Sequence, residues 1–118
     1  MENYSEPLLD RTFAALSDPT RRAILARLES DRSLTVSALA EPLPIKLPTV
    51  LKHLNVLSDA GLIRRSKQGR TVTVELSANP LQAASEWLSR YERFWWSSLD
   101  RLAVYAEAKM AEQETDKT

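Results

Sequence analysis

Between Pro44 and Thr73 the chain places six cations, Lys46, Lys52, Arg64, Arg65, Lys67 and Arg70, against a single acid, Asp59. Side chains of this type and density suit one kind of chemistry: they neutralise the phosphates of a polyanion and release its condensed counterions. Lys67, Gln68 and Arg70 surround Gly69, so a turn at that glycine carries two cations and no acid at its tip. The overall charge conceals the patch, because 16 Lys and Arg balance 16 Asp and Glu. The first ten residues hold three acids and no base, whereas Arg11 to Thr73 hold eleven bases and five acids. Local sign, not net charge, is the informative quantity here.

Other chemistry is closed off by composition. Cysteine is absent and histidine occurs once, at His53, which excludes disulfides, thiolate nucleophiles, thiolate metal centres and multi-histidine sites. A carboxylate site for a hard cation needs a clustered acidic loop, and the chain has none. No metal and no cofactor are therefore expected. Glycine occurs only twice, so no glycine-rich phosphate loop exists, and a serine assisted by a carboxylate or lysine is the one catalytic option left to weigh. The 118 residues, 43% hydrophobic and 27% charged, fit one soluble domain spanning 1–118. No apolar run approaches the roughly 18 residues that span a bilayer, and the acidic start is unlike a secretory signal. A cytoplasmic protein without a membrane partner is expected.

The elements that must position these residues are mostly helical. Leu8, Leu9, Phe13 and Leu16 fall at helical spacing in a helix over 5–16, with Ser5 as N-cap and Pro7 in its first turn. Asp18 caps a second helix that opens on Pro19 and ends near Glu29. Thr35 caps a short third helix, Val36 to Glu41, which Pro42 and Pro44 stop. A fourth, Leu47 to Ala60, sets Leu47, Val50, Leu54 and Leu57 on a dry arc and Pro48, Lys52, Asn55 and Asp59 on a wet one, with Gly61 as left-handed cap. Leu62 to Arg65 and the alternating Thr71 to Leu76 then form a two-stranded hairpin. Pro80 to Ala111 reads as one long helix and 112–118 as a frayed tail.

Two short helices joined by a tight turn and followed by a basic hairpin make a winged helix-turn-helix, over about 34–76. A helix of this kind enters the major groove while the wing lies over neighbouring phosphates. Pro48, Thr49, Lys52 and Asn55 on the wet face, and Lys67, Gln68 and Arg70 on the wing, are the candidate contacts to double-stranded DNA. Of Arg64 and Arg65, adjacent in a strand, only one can be well aimed, and Arg65 joins the candidates. His53 flanks the dry arc, where a packed, hydrogen-bonded ring competes with a DNA contact. Arg21 and Arg22 divide evenly between an ion pair with Asp18 or another carboxylate and a phosphate contact. Six of the eight aromatic residues lie in the long last helix. Its stripe, including Tyr91, Trp95, Leu99 and Leu102, exceeds what so small a core can cover and points to a second subunit. Trp96 falls about 100° off that stripe, which suits an interface better than the border of a ligand pocket. A winged helix that binds only proteins is the competing reading.

Several segments resemble the ArsR/SmtB-type bacterial regulators: Leu16-Ser17-Asp18-Pro19-Thr20-Arg21-Arg22-Ala23-Ile24-Leu25, Leu34 to Ala40, Leu47-Pro48 with Lys52-His53-Leu54, and Leu57 with Ala60-Gly61-Leu62-Ile63. Trp95-Trp96 with Leu99-Asp100-Arg101-Leu102 is similar to a metal-independent branch of that family. The resemblance implies a mainly α fold with a small two-stranded wing. It further implies a homodimer held by the first helix, through Leu8, Leu9 and Phe13, and by the last, 80–111. Such a dimer binds an inverted-repeat operator and represses transcription until an inducer, here unknown, releases it. The chain departs from the family where many relatives carry serine, at Lys46 and Leu51. Lys46 cannot cap the fourth helix but adds a cation near the DNA backbone, and Leu51 cannot hydrogen-bond a base.

Overall fold

A computed structural model describes residues 6–116, and the side chains of 7–114. Its elements run α1 (Glu6–Leu16), α2 (Pro19–Asp31), β1 (Ser33–Thr35), α3 (Val36–Ala40), α4 (Leu47–Asp59), β2 (Ile63–Gln68), β3 (Thr71–Leu76), α5 (Asn79–Ser89) and α6 (Glu92–Asp116). Two compact units result, one ending at Ser85 and the other beginning at Glu86. The expected Ser5 cap lies outside the described residues.

Local chemistry accounts for most of the boundaries. Asp18 accepts a hydrogen bond from the Arg21 backbone N–H at 3.0 Å and so caps α2, while Thr35 accepts from Ala38 N–H at 3.1 Å and caps α3. Helix α4 stops in a Schellman pair, Leu62 N–H to Leu57 O and Gly61 N–H to Ser58 O, each 2.9 Å. Gly61 supplies the φ of 75° that this motif requires. Gln68 pairs with Thr71, so Gly69 and Arg70 alone form the hairpin turn. Gly69 has φ 61° and Arg70 does not share the positive sign, the pattern of a type II′ turn.

Ile24 and Leu28 of α2, Leu39 of α3, Val50, Leu54 and Leu57 of α4, and Val74 of β3 meet in one core. Burial of such branched side chains stabilises the fold by about 1.5–3 kcal/mol each. All but one of the residues on the dry arc of α4 are therefore covered. Leu47 is the exception, 52% exposed, because it occupies the first turn of α4, beyond the layer that Val50 joins.

Three further features differ from the sequence reading. The sheet has three antiparallel strands, ordered β1-β3-β2, where two were expected. Strand β1 pairs Ser33 with Glu75, Leu34 with Val74 and Thr35 with Thr73, a length too short to display alternation. Its entry turns at Arg32, which adopts φ 62° and donates its backbone N–H to Leu28 O. The long last helix is interrupted at Arg90 and Tyr91, although neither proline nor glycine is present. There Arg90, Tyr91 and Phe94 donate to carbonyls three residues back, tightening the backbone out of the α-helical four-residue spacing. Finally, 112–116 continue α6 in place of the expected tail, and residues 117–118 lie outside the described residues.

Candidate nucleic-acid interface

The first requirement of a reading helix is a fixed seat. Arg21 donates from Nε to Ala15 O at 2.8 Å and from Nη2 to Ala14 O at 3.1 Å, so its guanidinium closes the carbonyl end of α1. Its Nη1 lies 3.3 Å from His53 Nδ1 on α4. A guanidinium only donates, so Nδ1 accepts in this contact. Asp18 Oδ2 stands 3.8 Å from the same nitrogen. The Arg21 N–H bonded to Asp18, helped by the charge of the Arg21 guanidinium, holds its carboxyl below the usual carboxylate range against a smaller opposing effect of desolvation. Asp18 at the corner, Arg21 of α2 and His53 of α4 thus fasten α4 to the α1–α2 corner.

The geometry places the three side chains as follows. His53, its side chain 17% exposed, occupies the packed and hydrogen-bonded place and not the open arc of the other candidates. Arg22, like Arg21, is turned to a carbonyl of α1, donating to Leu16 O at 2.7 Å. Arg27 similarly closes α3, donating to Ala38 O at 2.9 Å. These three arginines were counted in the basic excess, yet the structure directs them at helix carbonyls. Nothing in their spacing announces it, since the carbonyls belong to other segments.

Exposed candidate residues, several of them cations, lie on α4 and the wing. Lys46 is the N-cap residue of α4 without a side-chain capping bond, and it is exposed. Pro48, Thr49, Lys52 and Asn55 are exposed on the same helix, as are Lys67, Gln68 and Arg70 at the hairpin end. Arg65 joins the two elements: its Nη1 donates to Asn55 Oδ1 at 2.9 Å. The register explains why Arg65 and not Arg64 does so. Arg65 stands opposite buried Val74, and Arg64 opposite exposed Glu75, so the two arginines leave on opposite faces of the sheet. Lys67 follows Arg65 on the face turned towards α4. The Asn55–Arg65 bond escaped the sequence reading, and Leu51, 39% exposed, joins Leu47 as an apolar side chain left open on this helix.

The residues expected at a dimer interface divide. Leu9 is only 5% exposed and is closed within its own chain, a correction to its assignment as an interface residue, whereas Leu8 is half-buried and Phe13 exposed. In the second unit Tyr91, Leu99 and Leu102 are exposed, as are Trp95 at 54% and Trp96 at 59%. Among the described residues no three His, Asp or Glu side chains gather to hold a metal ion. No helix among them is long and apolar enough to cross a membrane.

Comparisons with known proteins agree with this architecture. Residues 16–66 match a family described as a helix-turn-helix domain. The chain is 36% identical over 109 residues to the HTH-type transcriptional regulator Rv2034 of Mycobacterium tuberculosis, covering 92% of this chain and 96% of that one. It is 32% identical over 83 residues to the transcriptional repressor SdpR of Bacillus subtilis, covering 70% of this chain and 91% of the repressor. Among solved structures, the ArsR family transcriptional regulator RHA00566 superposes with a TM-score of 0.72 at 43% identity, over 79% of this chain and 95% of that one. With the half-buried corner at Asp18 and the basic wing fastened to α4, these likenesses establish that the chain belongs to the ArsR family of winged helix-turn-helix transcriptional regulators.

Proposed function

We propose that the protein is a homodimeric, metal-independent repressor that binds an inverted-repeat operator on double-stranded DNA in the cytoplasm. The observation carrying this reading is the 2.9 Å hydrogen bond from Arg65 to Asn55. It fastens the root of the wing to the exposed face of α4, so that Lys46, Lys52, Lys67 and Arg70 belong to one cationic surface. Helix α4 enters the major groove by its first turns, and the wing cations meet phosphates alongside. Lys52, Thr49 and Asn55 are the residues assigned to base or backbone contact.

The open aromatic face of α6 supports self-association, with Trp95, Leu99 and Leu102 at the contact and Trp96 beside them. Two copies related by a twofold axis place their α4 helices in successive major grooves, half-sites about 10 base pairs apart or a multiple of that. The name of the Bacillus subtilis relative supports repression as the direction of control. A chain without cysteine and with one histidine, itself engaged by Arg21, has no thiolate or multi-histidine means of sensing a metal inducer.

The test is selection of binding sites from a random duplex pool by the purified protein, at a stated near-physiological salt concentration. An enriched inverted repeat, occupied by two chains, is the expected result. Retention that falls with salt but enriches no sequence reduces the reading to general DNA binding, and no retention at any salt overturns it in favour of a protein-binding winged helix.

A further inference from the structure

Helix α4 exposes two leucines in the middle of its cationic surface. Leu47 is 52% and Leu51 39% exposed, although leucine is among the residues most often enclosed. They are four residues apart, about 40° around the helix, and so form one apolar ridge over the first two turns. The ridge is short and bracketed. Lys46 precedes it, Lys52 lies beside it, and Asn55, held by Arg65, continues it one turn later. The other exposed apolar residue of α4, Val56, stands about 140° around the helix from Leu51 and does not extend the ridge.

A protein partner needs a broader apolar centre than two leucines ringed by cations and amide. The DNA major groove offers a matching feature, because among the four bases only thymine presents a methyl group there. A leucine set against any other base edge covers donors or acceptors that it cannot satisfy, which disfavours those bases. Resting on the proposed function above, we infer that Leu47 and Leu51 are specificity-determining residues that read thymine methyl groups in each operator half-site.

The experiment uses the full chain and the duplexes it enriches from a random pool, with each thymine replaced singly by deoxyuridine, which pairs identically and lacks only the methyl. For the wild-type protein, removal of a contacted methyl weakens binding about fourfold, the equivalent of one buried carbon group. Replacement elsewhere changes nothing. Leu51→Ala abolishes the deoxyuridine effect at one position and Leu47→Ala at another, while the melting temperature stays at the wild-type value because neither leucine belongs to the core. Enriched sites that lack thymine at constant positions overturn the inference, as does tight binding indifferent to every deoxyuridine. The same holds for deoxyuridine effects that persist unchanged in both variants. Failure to bind any duplex overturns the proposed function itself and is thereby distinguished from failure of this reading.

Discussion

Val50, Leu54 and Leu57 repeat along one side of α4 and are closed to solvent, whereas Trp95, Leu99 and Leu102 repeat at similar spacing along α6 and stand open. The two helices have comparable stripes and different surroundings. In α4 the apolar side is covered by α2, α3 and the sheet, so the helix is held and its other side is available to a ligand. In α6 the apolar side is itself the surface, in a unit whose described side chains beyond Leu88 are all exposed. Periodicity therefore states which residues share a face and is silent on what meets that face. An open stripe carrying Trp95, Leu99 and Leu102 is the feature on which the proposed self-association rests, by the same physics that makes a closed stripe a core.

The contrast is most directly tested by equal truncations in the two helices. Leu54→Ala leaves a cavity at the centre of the core and is expected to cost about 2–5 kcal/mol of folding stability, a large share of the 5–15 kcal/mol typical of a whole domain. Urea denaturation measures it through a lower midpoint at constant slope. Trp95→Ala combined with Leu99→Ala is expected to leave the fold of the first unit intact and to raise the dimer dissociation constant about 30-fold or more, as loss of roughly 2 kcal/mol at an interface centre does. Sedimentation equilibrium decides, and an unchanged average mass across the concentration range removes α6 from the interface.

On the open side of α4 the expected effects are smaller and depend on salt. Lys52→Ala with Arg70→Ala lowers operator affinity, about tenfold for each contact, and reduces the slope of log affinity against log salt by about one per lost phosphate contact in each protomer. Wild-type affinity and slope in this double variant place the DNA elsewhere. Circular dichroism of the variant should match the parent, since both side chains are exposed.

The smallest effect concerns pH. The carboxyl of Asp18 titrates below the usual range because Arg21 N–H bonds to its ionised form. Its contribution to stability is present above the ordinary carboxylate range and fades as pH falls through the lowered folded value. Asp18→Asn retains a capping oxygen but cannot ionise, so the acid limb of melting temperature against pH becomes shallower. Lys109→Ala provides the comparison on α6, where the pair with Glu112 at 3.7 Å is exposed and its loss changes melting by an amount near zero. Equal acid limbs for Asp18→Asn and wild type would show that the corner at His53 carries no ionisation-dependent stability.

Much of what positions the candidate site is legible in the sequence. Asp18, Thr35 and Gly61 act where the sequence places them, because caps and left-handed turns involve residues two to five positions apart. The wing is equally local, set by Gly69 and the alternation of Thr71 to Leu76. Lys46 caps nothing, as its chemistry requires. What escaped notice depends on distant partners. Strand β1 exists because the edge of β3 is free to receive Leu34, and Arg27 turns inward because the end of α3 lies within its reach. The interruption at Arg90 and Tyr91 carries no proline or glycine to signal it. Leu47 follows the periodicity of a dry arc, yet no neighbour covers the first turn of α4.

Residue type and short spacing thus sufficed for the helices, their caps, the hairpin and the cationic stretch from Lys46 to Arg70, because each rests on bonds and sterics within a few positions of the chain. Three-dimensional packing alone assigned the arginines of α2 to helix carbonyls, drew His53 to Arg21, bonded Arg65 to Asn55 and left Leu47 and Leu51 uncovered. Those outcomes turn on which separate elements come within hydrogen-bonding or van der Waals reach, and no linear spacing encodes that distance.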